Sequence, residues 1–167
     1  MNQITVREYG YGDFDSIVKF MMSMQKYFVE LDQHREQKAF ASKQKAEEYI
    51  RQALKDVDEM DGAIFIAESE NQLAGFIQGV IVKHKDDVMH QLTRNKNIEG
   101  WIGLLFTDPQ FRCRGVGTSL IKSMRNYFKK MNCSSVRLKV ASNNRLAIKI
   151  YEKHGFKPRD LEMAVGI

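Results

Sequence analysis

Six consecutive residues, Arg112-Cys113-Arg114-Gly115-Val116-Gly117, concentrate the chemistry of this sequence. They stand between an apolar, strand-like run, Trp101–Thr107, and a helically spaced segment from Val116 to Met131. Glycines at a strand-to-helix turn let backbone N–H groups close on a ligand. The start of a helix adds about half a positive charge, and Arg112 and Arg114 add two full ones. Such a turn suits a phosphate. Its spacing excludes two commoner phosphate loops. A P-loop needs Lys-Ser/Thr after its second glycine, and Gly117 is followed by Thr118-Ser119; the dinucleotide fingerprint needs a third glycine where Leu120 stands. An ordinary turn with charged decoration would have the same composition.

A second stretch runs from Asn144 to Phe156. Asn144 can cap a helix, and Gly155 sits where a left-handed residue ends one. Ala147 and Tyr151, four apart, share a face, and the small residue leaves room beside the phenol. By itself this reads as a core tyrosine on an amphipathic helix. Cys113 and Cys133 make neither a disulfide scaffold nor a zinc site unaided. His34, His84, His90 and His154 show no ligand spacing, so no metal is expected, and His84 and His90 fall in a polar stretch where they read as solvated. Lys122, Arg125 and Lys129 share one helix face; a solvated face is the plain reading, a nucleotide phosphate the sharper one.

The elements that must position these residues follow from periodicity. The 167 residues, 43% hydrophobic and 28% charged, suit a single domain over 1–167 with a sizeable core. No apolar run approaches the ~20 residues of a membrane span. The first residues lack a basic stretch followed by an apolar one, so a cytoplasmic protein is expected. Residues 1–90 carry 11 basic and 16 acidic side chains, and residues 91–167 carry 15 and 5. The basic half points to an anionic partner; without a nucleic-acid motif, nucleic acid is not expected.

Ile4 and Val6 mark a first strand. Asp13 to Leu31 has helical spacing, with Asp13 or Asp15 to cap it. A second helix runs from Ser42 to Val57, with Ala46, Tyr49, Ile50, Ala53 and Leu54 on one face. Ala63–Ala67 and Leu73–Val82 form a hairpin about a turn-like Ser69–Gln72. His84 to Ile98 is polar and without period. Val136, Leu138 and Val140 alternate as a strand, and Leu161–Ile167 reads as a final one. The order is βαα-ββ-βαβα-β, in which the strands flanking the Val116 helix run parallel with a right-handed crossover.

In this order and spacing the two motifs resemble those of the GNAT superfamily of acetyl-CoA-dependent N-acetyltransferases. Its members place Arg/Gln-x-x-Gly-x-Gly/Ala between a strand and a helix, and Asn-x-x-Ala-x-x-x-Tyr-x-x-x-Gly-Phe after the next strand. Both patterns are intact here, at Arg112–Gly117 and Asn144–Phe156. Leu105-Phe106-Thr107-Asp108-Pro109 resembles the family's lead-in, with Thr107 in place of the usual valine. The resemblance implies an α/β (α+β) fold: a mixed, mostly antiparallel sheet with a central splayed parallel strand pair, flanked by helices. It implies that strands Trp101–Thr107 and Ser135–Ala141 part, so that backbone groups of Leu105, Phe106 and Thr107 pair with pantetheine. Pyrophosphate would rest on the amides of Cys113, Arg114, Gly115, Val116, Gly117 and Thr118 beside Arg112, with Asn144 opening the second half of the site.

The implied reaction is direct attack of a primary amine on the thioester, with no covalent enzyme intermediate. Tyr151 matches the tyrosine that donates to the departing thiolate, and a backbone N–H near Leu105 or Phe106 would meet the oxyanion. Cys113 is then a spectator. Many members carry an acid on the strand before the glycine turn, but the matching positions here are Trp101, Ile102 and Gly103. Glu99, about two residues earlier, is the nearest candidate base or water-relay member; as a solvated residue at the strand's start it would do neither. Tyr27, Phe28, Glu30 and Asp32 lie where members build part of an acceptor pocket. The expected partners are acetyl-CoA and an amine acceptor: a polyamine, an aminoglycoside-like compound or an amino acid. A homodimer is compatible with the resemblance. A protein N-terminal or lysine acetyltransferase and a non-catalytic CoA-binding module are the alternatives.

Overall fold

The computed structural model describes residues 3–32, 37–84, 98–160 and 163. Among them β1 (Ile4–Glu8) leads through a one-turn 3-10 segment, Tyr11–Asp13, into α1 (Phe14–Leu31) and α2 (Lys43–Glu59). The hairpin β2 (Ala63–Ser69) and β3 (Gln72–Lys83) follows, then β4 (Ile98–Thr107), α3 (Val116–Lys130), β5 (Ser135–Leu138) and α4 (Arg145–Lys153). The strands lie in the order β1-β2-β3-β4-β5. Every neighbouring pair is antiparallel except β4–β5, which is parallel and joined through α3.

Both faces of the sheet are covered, so β3 is buried from Ala74 to Ile81 rather than alternately wet and dry. On one face Phe76 and Phe106 meet Phe20, Met21 and Ile50 of α1 and α2. On the other, Ile77 and Ile102 meet Leu120, Met124 and Phe128 of α3. Each such side chain contributes roughly 1.5–3 kcal/mol by leaving water. Close approach of α3 to the sheet needs Gly100, where an added Cβ would lie 2.5 Å from the Phe128 ring.

Three local expectations are corrected. Asp13 makes no side-chain cap for α1; it accepts from Arg7 Nη1 and Nη2 at 2.7 and 2.8 Å and from the Gly10 N–H at 2.8 Å. A guanidinium offers a carboxylate two parallel donors, which a helix end does not. Tyr49 does not face inward; it is 46% exposed and packs edge-on against Phe40. The parallel partner of β4, β5, stops at Leu138 instead of Ala141, and Val140 is exposed. Ser42 caps α2, a role not read from the sequence, its Oγ accepting from the Lys45 N–H. The expected strand at Leu161–Ile167, and His34 and His90, fall outside the described residues except for Met163.

Candidate active site

Two features of β4 open a fork in the sheet. Its parallel pairing with β5 covers only Glu99–Ile102 against Ser135–Leu138, so β4 runs on to Thr107 with no described strand on that edge. At the branch point β4 carries an extra residue: Leu104 faces Gln78 and Ile102 faces Gly79, leaving Gly103 between. A bulge bends a strand and sharpens its twist. The missing side chain leaves room for the Gln78 amide: a Cβ at Gly103 would lie 2.4 Å from Gln78 Oε1, so that side chain would have to shift. The unpaired edge from Gly103 to Thr107 therefore includes the backbone of Leu105, Phe106 and Thr107, with N–H and C=O groups available to an extended ligand.

The glycine turn stands at the end of that edge. Asp108 caps a short 3-10 turn, Pro109–Phe111, by accepting from the Gln110 N–H, and buried Phe111 anchors it. Cys113 at φ 60 and Gly115 at φ 92 are both left-handed, and Gly115 is the N-cap of α3. Left-handed residues in such a turn gather successive N–H groups into one concavity, and the helix dipole adds positive potential. Arg112 folds back, its Nε 3.4 Å from the Thr107 carbonyl and its guanidinium 5.4 Å from the Tyr27 ring centroid. Arg114 reaches instead to Glu70 of the hairpin at 3.0 Å, a half-exposed pair of small energetic weight.

α4 closes the fork from the β5 side. Asn144 is buried and caps it, its Oδ1 accepting from the Ala147 N–H at 3.2 Å and from Tyr27 Oη at 3.4 Å. Asn143 Nδ2 donates to the Leu31 carbonyl at 2.6 Å, so the end of α1 is tied to the start of α4. Gly155, at φ 83, turns the chain so that Phe156 meets the Tyr151 ring edge-on at 5.8 Å. The two motifs touch at Gly117: a Cβ there would lie 3.0 Å from Ile150 Cδ1 and 3.6 Å from Thr107 Oγ1. The absence of a side chain at Gly117 thus lets α3, α4 and the end of β4 converge. Burial pushes the Tyr151 hydroxyl up to about 12, so at neutral pH it is a donor.

The Acetyltransferase (GNAT) family profile matches residues 25–156, which include both motifs and the fork between them. The chain belongs to the GNAT acetyltransferase family.

As a GNAT acetyltransferase it is 27% identical over 90 residues to the spermine/spermidine N(1)-acetyltransferase of Bacillus subtilis, covering 53% of this chain and 55% of that protein. It is 29% identical over 105 residues to an N-alpha-acetyltransferase of Sulfurisphaera tokodaii, covering 62% of each. The chain spans between 16% and 62% of the length of the curated relatives it matches. In fold it is similar to an aminoglycoside N-acetyltransferase solved in complex with CoA, at TM-score 0.70 and 15% identity, over 100% of this chain and 96% of that one.

Glu99 departs from the sequence-based expectation of a solvated residue. It lies inside β4 and is 6% exposed. Arg137 Nε and Ser135 Oγ donate to its Oε1 at 3.1 and 3.0 Å, and His84 Nε2 lies 2.9 Å from its Oε2. His84 is likewise held in this cluster, its side chain 13% exposed, and not solvated. Burying a carboxylate without such partners would be prohibitive. Ser135 and Arg137 on β5 and His84 just past β3 supply them, and no pattern within β4 could announce that. Glu99 is four residues before the bulge, roughly 13 Å along an extended strand, so it stands below the fork rather than in it. Among the described residues no three His, Cys, Asp or Glu side chains converge to hold a metal, and no helix is long and apolar enough to cross a membrane.

Proposed function

We infer that the protein transfers the acetyl group of acetyl-CoA to a primary amine of a small molecule. The observation that carries this reading is the convergence at Gly117 of the left-handed amide turn, the open edge of β4 and the helix bearing Tyr151. Pantetheine would add to the free edge of β4 at Leu105–Thr107, with pyrophosphate on the amides from Cys113 to Thr118. A primary amine attacks the thioester carbonyl; the C–N bond forms, the C–S bond breaks and the thiolate leaves as CoA. A backbone N–H of the open edge supports the oxyanion. Tyr151, a phenol whose burial raises its pKa further above neutrality, gives the thiolate its proton or a hydrogen bond.

The attacking amine loses its own proton to solvent or an ordered water, since Glu99 is ion-paired and below the fork. The acidic N-terminal half is compatible with a cationic acceptor, and the match to a spermine/spermidine acetyltransferase supports a polyamine class. The match to an N-alpha-acetyltransferase supports a second reading, acetylation of a protein N-terminus.

The test follows free CoA release over a panel of polyamines, aminoglycosides, amino acids and N-terminal peptides. Turnover with polyamines and none with peptides is expected. Turnover confined to peptides would select the second reading, and acetyl-CoA binding without any turnover would leave a CoA-binding module.

A further inference from the structure

Among the described residues five polar or charged side chains are buried: Asp13, Ser69, Gln78, Glu99 and Asn144. Asp13, Glu99 and Asn144 are held by hydrogen bonds or ion pairs. Ser69 Oγ has no partner, but it ends β2 at the hairpin turn, opposite Gln72. Gln78 stands elsewhere, in the middle of β3 and 6% exposed. Among the described residues its carboxamide has no hydrogen-bond partner. Neither of its polar atoms is fully enclosed, so the little exposure Gln78 keeps includes its polar end. A buried amide left unpartnered costs free energy, and a group that reaches it is held.

Gln78 pairs with Leu104 at the bulge of β4, on the sheet face that Phe76 shares with α1 and α2. Its carboxamide lies over Gly103: the position of an added Cβ there is 2.4 Å from Oε1, 3.5 Å from Cδ and 3.9 Å from Nε2. The missing side chain thus lets Gln78 reach from β3 over β4 to the point where the fork opens. Trp101, Ile102 and Gly103 match the positions of the acid that many GNAT members carry, and none is an acid here. The polar group over this stretch comes from the neighbouring strand instead. Pyrophosphate on the glycine turn and pantetheine along Thr107–Leu105 direct the thioester end of the cofactor toward Gly103. Leu120, Met124 and Phe128 of α3 fill the other face of the sheet with Ile102. The attacking amine therefore approaches on the face that carries the carboxamide.

We propose that Gln78 holds the attacking amine of the acceptor over Gly103. Its carboxamide oxygen accepts one amine N–H, so that the nitrogen lone pair points at the thioester carbonyl. This rests on the transferase reading above. An amide does not titrate, so Gln78 orients the amine without taking its proton. That proton leaves to water as the C–N bond forms and the thiolate departs.

The test is steady-state acetylation of spermidine, or of a peptide with a free N-terminus if only peptides turn over, by the full chain and two variants. Gln78→Leu keeps the bulk and removes the acceptor atom. It should lower kcat/KM for the amine about tenfold or more, with acetyl-CoA affinity by calorimetry unchanged. Its Tm should be unchanged or raised, because an apolar group of similar shape replaces an unpartnered buried amide at no cost. Gln78→Glu puts a titratable group in the same place. The ascending limb of kcat/KM against pH, which follows the amine in the unaltered protein, should then move to lower pH as the carboxylate takes the amine's proton. A role in packing alone moves neither quantity. A folded Gln78→Leu variant with normal kcat/KM overturns the proposal and leaves the transferase reading standing. So does a Gln78→Glu pH profile that matches the unaltered protein's, and that profile decides should Gln78→Leu not fold. If the unaltered protein binds acetyl-CoA and acetylates no amine, the transferase reading fails and the role of Gln78 with it.

Discussion

Gly115 is the most informative single position in the glycine turn. It holds φ 92 and ψ 0, a conformation that costs an L-residue roughly 1–2 kcal/mol and a β-branched one more. Space is not the obstacle, because an added Cβ would make ordinary contact with Ile4 Cδ1 at 3.6 Å. A valine should therefore act through the backbone: it draws residue 115 out of the left-handed region and turns the following amides away from a common centre. Gly115→Val should lose about 1–2 kcal/mol of stability, lowering Tm by about 2–4 °C per kcal/mol in a chain of this size. If those amides hold pyrophosphate, acetyl-CoA affinity should fall at least tenfold, about 1.4 kcal/mol. Asparagine tolerates the left-handed region, so Gly115→Asn should keep most of both. Calorimetry with acetyl-CoA on the two folded variants, with thermal melts alongside, reads the difference. Unchanged affinity in Gly115→Val would refute the turn as the anion site. Equal losses in the two variants would show that the side chain itself, not the backbone angle, excludes the ligand.

Tyr151→Phe should reduce kcat by ~10²-fold or more with acetyl-CoA affinity little changed, since a donor to the leaving thiolate matters in the transition state; normal kcat in steady-state assays would return Tyr151 to the core. Because burial raises its pKa to about 12, the neutral phenol contributes stability that is complete below about pH 10 and fades as pH rises through 12, visible as a difference from Tyr151→Phe in alkaline melts. Glu99→Gln should strip Arg137 of its charge partner and alter the hydrogen bond to His84, destabilising the fold by roughly 1–3 kcal/mol in urea titrations. The ascending limb of kcat/KM against pH should follow the pKa of each of two acceptors; a fixed limb that vanishes in Glu99→Gln would make Glu99 the base. The Arg7 guanidinium holds the Asp13 carboxyl below its usual value of 3.8. That pair's contribution is therefore present above about pH 4 and lost as pH falls through the lowered value. Asp13→Asn should cost about 1–2 kcal/mol at pH 7, allowing for the 39% exposure of the Arg7 side chain, and the gap should close in acid denaturation.

What the sequence determined by itself is local. The left-handed backbone at Gly155, the Asn144 cap, and the inward faces of α1 and α3 are all legible. Each depends on sterics or periodicity within a few residues of chain. The two motifs, in their order and spacing, also carry the resemblance to the GNAT family. Tertiary structure decided how charges and neighbours are shared. Glu99 looked like a wet strand end, yet it is buried because Ser135 and Arg137 arrive 36 and more residues later on a parallel strand. Asp13 suited a cap, but Arg7 offers it a better donor pair across the turn. Gly117 read as a phosphate glycine, and its packing role beneath Ile150 emerged only when α4 was laid against α3. A backbone angle is fixed by adjacent atoms, whereas the burial of a charge or the closeness of two helices is fixed by whatever the rest of the chain brings to that place.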